Sequence, residues 1–276
     1  MRATQSASES AYWILRIGAA LCFIGHGAFG FITKAAWLPY FGVMGIPERW
    51  AWKLMPIVGA VDVTAGMAVL FAPRGLPLVY MSVWALFTAL LRPLAGESVL
   101  EAFERAGNYG VPMALLAMTS IPTSVRALID RREMPSIDAT MIERVSAILK
   151  WTTVLLLGAH GLIGVAGKAT LATHYGTLGL PSGTTPIVGW CEVALSAVIA
   201  VRPVPGLLMF VAAWKIATES LFIISGAPVW EVVERAGSFA APLALAALTY
   251  RSHQIRRIAS ANRLRTSDSV VARSLL

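Results

Sequence analysis

Long apolar runs separated by short polar breaks make up most of this chain, and the runs come in two sets of four. The first set covers about 14–33, 55–72, 76–95 and 108–122, and the second about 147–167, 186–202, 205–225 and 238–250. Most are roughly 17 to 22 residues long, enough at about 1.5 Å per residue to cross a hydrocarbon core of about 30 Å. The fourth run of each set is the weakest, and in the first set Pro112, Ser120 and Pro122 blur its end. The breaks also have character. Residues 35–54 hold Gly42, Gly45, Pro47, Trp50 and Trp52, as suits chain folded at a membrane surface, where tryptophan is favoured. Residues 97–106 and 227–236 mix acids with apolar positions at helical spacing. Glu97, Glu101 and Glu104 fall on one face with Leu100 and Phe103 on the other, which predicts a short interfacial helix before Gly107 and its counterpart Gly237.

The two sets repeat each other in detail. His26-Gly27, Gly30 and Lys34 form H-G-x-x-G-x-x-x-K, and His160-Gly161, Gly164 and Lys168 repeat it. Gly42, Gly45 and Pro47 answer Gly176, Gly179 and Pro181. Pro56-Ile57-Val58-Gly59 answers Pro186-Ile187-Val188-Gly189, each followed by an acid, Asp62 or Glu192. Glu104-Arg105-Ala106-Gly107 and Pro112 match Glu234-Arg235-Ala236-Gly237 and Pro242. A duplication of this length predicts the architecture. With four spans in each copy both copies enter the membrane in the same direction, so we expect an all-α integral membrane protein of eight transmembrane helices. These form two parallel four-helix-bundle repeats about a pseudo-twofold axis along the membrane normal. The first repeat is 1–122 and the second 143–250, with a polar cytoplasmic linker at 123–142 and a basic cytoplasmic tail at 251–276.

Composition agrees with a membrane protein. Hydrophobic residues make up 57% and charged residues 14%, with a mean hydropathy of +0.67, against about 25% charged in a soluble domain. The net charge of +8 does not indicate nucleic acid, because a chain that is mostly membrane span has little surface on which to build a groove reader. The basic residues are better read as topology. Placing the N-terminus, the 72–75 and 202–204 turns, the linker and the tail on one side gathers most of the 23 Lys and Arg there. Both termini are then cytoplasmic and the expected location is a bacterial inner membrane. The first span has a retained equivalent in the second copy, so it does not read as a cleaved signal peptide. Cys22 and Cys191 lie apart inside spans without a C-x-x-C pattern, which suits neither a disulfide nor a zinc site.

Depth decides which polar side chains can meet. His26 lies eight residues before Lys34, roughly 12 Å deep, and Asp62 six residues past Pro56, roughly 9 Å deep from the same face. The second copy repeats this with His160 and Glu192. Glu219 and Lys215 fall roughly 10 and 16 Å below that face by the same reckoning. Ionisable groups inside a span are costly and face the interior, where they pair. We therefore expect a buried polar layer in the outer half of the bilayer, built from His26, Asp62, His160, Glu192, Lys215 and Glu219. Each His–acid pair serves packing or function equally well on the sequence alone. Gly25, Gly27, Gly30 and Gly59 let helices approach closely, and Lys34 and Lys168 read as boundary residues that snorkel to the surface. Lys215 and Glu219 stand apart, because their first-copy positions are Ala85 and Ala89. A pair present on one side only points to a specialised site in the second half. Trp84 and its counterpart Trp214 are placed to stack on a planar ring, or to pack. No E-x-x-H or H-x-x-x-H pair concentrates metal ligands on one helix, and no metal site is expected.

These motifs resemble the DoxX/DoxD-like family of small four-helix membrane proteins. The resemblance rests on the second copy's H-G-x-x-G-x-x-x-K, the Gly176-Thr177-Leu178-Gly179-Leu180-Pro181 turn and Val188-Gly189-x-x-Glu192. The first copy looks like a diverged member in which Asp62 replaces Glu, making the whole a tandem duplication. The resemblance implies a membrane subunit linked to redox chemistry, with a quinone or a small sulfur-containing molecule as ligand and a soluble or membrane-bound redox partner. On that basis His160, Glu192, Lys215 and Glu219 are the expected catalytic residues, with carboxylates relaying protons, His160 binding a substrate oxygen and Lys215 stabilising negative charge. His26, Asp62, Trp84 and Trp214 are the expected substrate-binding residues. The same residues also suit a proton-coupled carrier or channel, or a non-catalytic assembly subunit.

Overall fold

A computed structural model describes residues 2–119, 123–131, 139–181 and 183–250, with side chains from Ala7 onward. The basic tail expected at 251–276 and the end of the run expected at 108–122 lie outside the described residues. α1 (Arg2–Phe31) leads through a 3-10 turn and α2 (Leu38–Val43) into α3 (Glu48–Phe71), α4 (Gly75–Leu94), α5 (Leu100–Glu104) and α6 (Ala106–Met118). α7 (Val125–Ile129) is capped by the Ser124 hydroxyl, which accepts from the Ala127 amide. Then come α8 (Ala139–Val165), α9 (Ala169–Gly176), α10 (Thr184–Val201), α11 (Pro205–Ile224) and α12 (Trp230–Val233), followed by α13 over 236–250. α8 thus begins inside the stretch expected to be linker.

Among the described residues, seven helices are long and apolar enough to cross a membrane: Ala7–Phe31, Glu48–Phe71, Gly75–Leu94, Ala139–Val165, Thr184–Val201, Pro205–Ile224 and Trp230–Tyr250. The sequence led us to expect eight. Of the weak fourth run, the described part is α6, with 13 residues, roughly 20 Å of helix; the end of the run lies outside the described residues. A turn at Arg105 separates α5 from α6, which begins at Ala106. In the second half the matching turn at 234–235 is followed by a helix that runs to residue 250.

Small residues govern the packing. α1 lies against α3 and α8 against α10, in each case at a pair of glycines. A Cβ on Gly27 would come 2.6 Å from the Gly59 carbonyl oxygen, and one on Gly161 would come 2.6 Å from that of Gly189. Only hydrogen fits at such separations, so the two backbones touch. The short helices cross over: α5 packs on α8 and α12 on α1, while α6 contacts both α1 and α8. Gly107 and Gly237 meet where the two halves join, each leaving less than 3 Å for a Cβ against the other's backbone. The shared core between them includes Leu15, Leu78, Met81, Leu115, Leu149 and Leu157, all essentially buried. Large apolar side chains such as Ile57, Phe71, Leu94, Ile187, Val201 and Phe210 are exposed around the outside. In water such a surface would be an aggregation liability, whereas against lipid it is the ordinary covering of a membrane-spanning helix.

Candidate functional site

Because glycine brings α1 onto α3, His26 and Asp62 face each other. The His26 Nδ1 lies 2.7 Å from the Asp62 Oδ2, and the Tyr80 hydroxyl of α4 donates to the Asp62 Oδ1 at 2.7 Å. Asp62 is fully buried, and both of its oxygens are occupied, as a buried carboxylate requires. The other side of the His26 ring stacks on Trp37, with centroids 4.5 Å apart.

The second half builds the same cluster with different parts. The His160 Nδ1 lies 2.5 Å from the Glu192 Oε2, and the Trp214 indole N–H donates to the Glu192 Oε1 at 2.9 Å. Phe210 stands where the first half has Tyr80, so a hydroxyl is missing. The glutamate is one methylene longer than an aspartate, and its donor is the tryptophan one turn further along the helix. In the first half that tryptophan is Trp84, and its Nε1 is buried with no hydrogen-bond partner among the described residues.

A belt of ion pairs joins the two halves. Lys34 reaches across to Glu231 at 2.6 Å, and Lys168 reaches back to Glu101 at 2.5 Å. Each lysine ends the H-G-x-x-G-x-x-x-K motif of one half and grips the short helix of the other. Arg105 lies 3.3 Å from Glu234, which also pairs with Arg235 at 3.0 Å, and the His160 Nε2 lies 3.9 Å from Glu104. Arg92 pairs with Glu97 at 2.9 Å, and the Tyr40 hydroxyl also donates to Glu97. Burial and the neighbouring Glu104 push the Glu101 carboxyl up from its ordinary value. For Glu104 burial acts in the same direction, but His160, Arg105 and Lys168 outweigh it and hold the carboxyl low. Lys34 and Lys168 are therefore more than snorkelling boundary residues. The duplicated Glu-Arg-Ala-Gly was the visible trace of this belt; its partners were not, because they lie in the opposite repeat.

Lys215 and Glu219 pair at 3.0 Å, and the Glu219 Oε2 is 3.2 Å from the Arg235 Nε. Both side chains are buried, with relative exposures of 1% and 5%. His160, Glu192, Trp214, Lys215 and Glu219 thus gather in the second half, while His26, Asp62 and Trp84 gather in the first. The room, however, is in the first half. A cavity of about 80 Å³ lies beside His26, walled by Trp37, Tyr40, Trp84, Ala85, Ala89, Arg92 and Arg105 among others. That is space for several water molecules. The corresponding hollow beside His160, lined by His174, Tyr175, Thr218, Glu219 and Phe222, measures about 10 Å³. Two buried donors of the first-half wall have no partner among the described residues, the Trp84 Nε1 and the Arg105 Nε. No group of three or more His, Cys, Asp and Glu among the described residues is placed to hold a metal ion.

No protein-family model matches this chain, and no curated protein or solved structure is similar to it.

Proposed function

We propose that the protein is a redox-associated membrane subunit that binds a quinone-like molecule, and that the cavity beside His26 is where it binds. The observation that carries this reading is the chemistry of the cavity wall. Flat aromatic rings, Trp37, Tyr40 and Trp84, enclose a small space into which an imidazole and an unsatisfied indole N–H are built. Apolar pockets with a few placed polar groups suit a small planar ligand, and a donor with no partner costs free energy until an acceptor oxygen arrives. In this reading the His26 ring and the Trp84 indole orient the ligand's oxygens. Asp62, fixed by Tyr80, holds the His26 ring in place and sets which ring nitrogen carries the proton.

The same proposal includes the wider architecture. The chain is a tandem DoxX-like duplication with eight membrane helices, two parallel repeats about an axis along the membrane normal and both termini in the cytoplasm of a bacterium. Support comes from the reciprocal Lys34–Glu231 and Lys168–Glu101 pairs, since a twofold relation makes i meet j and j meet i. Left-handed backbone at Gly45 and Gly179, and at Gly96 and Gly226, falls at matching positions in the two halves.

Titrating detergent-purified protein with a short-chain ubiquinone analogue tests the ligand. Trp37 and Trp84 lie in the wall, so quenching of tryptophan fluorescence should saturate, and Trp84→Phe should weaken it about tenfold, as losing one buried hydrogen bond does. Linear, unsaturable quenching in the parent protein would sink the reading. A carrier is the second reading, favoured by the connected run of ion pairs from Lys34 through Glu231 and Arg235 to Glu219. It predicts solute uptake into liposomes that Glu192→Gln abolishes, with no redox turnover.

A further inference from the structure

The two halves place the same arginine in different company. In the second, the Arg235 Nε holds the Glu219 carboxylate at 3.2 Å, and Lys215 braces that carboxylate from the other side at 3.0 Å. In the first, the matching Arg105 Nε is buried and has no partner among the described residues. The positions of Lys215 and Glu219 are there Ala85 and Ala89, both in the wall of the 80 Å³ cavity. The void and the orphaned donor are thus two results of one difference, the absence of a lysine and a glutamate side chain.

We infer that the second half carries a built-in substitute for a ligand, and that the first-half cavity takes a small planar molecule that sets an anionic or strongly accepting oxygen on the Arg105 Nε, where the second half sets the Glu219 carboxylate. The inference rests on the reading of that cavity as a ligand site and adds its anchor and its oxygen chemistry. Charge-assisted hydrogen bonds to a guanidinium are short and strong, and in a dry wall the unmet donor favours whatever oxygen fills it. Arg92, also in the wall, adds positive charge where the second half has the neutral Phe222. A carboxylate, an ionised quinol or a quinone carbonyl each offers that oxygen. The second half, with about 10 Å³ left, binds nothing, so each chain holds one ligand.

Accessibility tests the plug without any ligand. In a Cys22→Ala/Cys191→Ala background, Thr88→Cys lines the open cavity and Thr218→Cys the closed one. A small thiol-reactive methanethiosulfonate should label the first about tenfold or more faster than the second, as open and filled sites differ. Adding Ala85→Lys/Ala89→Glu, a pair the fold already accommodates in the second half, should bring the first rate down to that of the second without lowering the melting temperature. Equal rates in the starting pair, or no slowing on the transplant, overturn the inference. Benzoate and a short-chain ubiquinone analogue are then the two probes for the oxygen. Protection of Thr88→Cys by either one, lost in Arg105→Lys, which keeps the charge but has no Nε, supports the anchor. Protection by benzoate alone sinks the quinone reading and leaves the anchor standing. Protection that survives Arg105→Lys, or protection by neither probe, overturns the anchor.

Discussion

Asp62 and Glu192 do one job with side chains that differ by a methylene, and the difference passes to the donor opposite. Tyr80 serves the shorter acid and Trp214 the longer one. This makes the two solutions exchangeable. Tyr80→Phe alone leaves the Asp62 Oδ1 buried and unmet, and should cost about 2 kcal/mol. Adding Asp62→Glu rebuilds the second half's arrangement, bringing the acid within reach of the idle Trp84 Nε1, and should recover most of that loss. Thermal unfolding of the two variants in detergent checks it; a double variant no more stable than Tyr80→Phe contradicts the exchange. Depth counting along the sequence put His26 beside Asp62 and His160 beside Glu192 because both depend only on helix rise and span direction. It did not reveal the donors, which depend on one bond length of side chain. The cavity was equally hidden, since it is made by Ala85 and Ala89, which in a helix read as ordinary small residues.

Helices approach through glycine here, and the cost of adding a methyl group follows the distance available rather than the motif. Gly30 and Gly164 occupy the same place in H-G-x-x-G. A Cβ on Gly30 would lie 2.5 Å from the Met55 carbonyl oxygen, whereas one on Gly164 would meet nothing nearer than 3.3 Å. Gly30→Ala forces the α1 and α3 backbones apart and should cost about 2 to 3 kcal/mol, in the range of overpacked cores. Gly164→Ala asks a neighbour to shift by a fraction of an ångström and should cost less than about 1 kcal/mol. Melting temperatures of the two alanine variants would show it, and equal losses would count against the packing described. Seven of the eight expected spans exist, among the described residues, as helices long and apolar enough to cross a membrane, because apolar length survives any detail of packing. The eighth is the weak fourth run, whose described helix has 13 residues and whose end lies outside the described residues.

Across the whole molecule, the halves are tied by charges at the ends of elements far apart in sequence. Lys34 and Glu231 are both partly shielded and lie 2.6 Å apart. Lys34→Glu sets a third acid beside Glu231 and Glu234 and should lower the melting temperature markedly, whereas Lys34→Glu combined with Glu231→Lys should restore part of the loss, a pattern that only a real coupling produces. The belt also has a pH dependence of definite sign. Glu104 is held below its ordinary value near 4.5, so the fold binds its ionised form better than the unfolded chain does. Its contribution is complete above that ordinary value and is lost as the pH falls toward the depressed one. Glu101, pushed the other way by burial and by Glu104, takes up a proton on acidification and opposes the trend. Glu104 faces Glu101, Arg105, His160 and Lys168; the charges of His160, Arg105 and Lys168, together with a hydrogen bond from Glu101, keep it ionised. Removing the carboxyl removes that part of the acid sensitivity: Glu104→Gln should be less stable than the parent at pH 7 and lose less between about pH 5 and pH 3. Melting curves across that interval decide it. Parallel slopes for parent and variant would mean that Glu104 titrates normally and that His160 and the two cations do not act on it as a group.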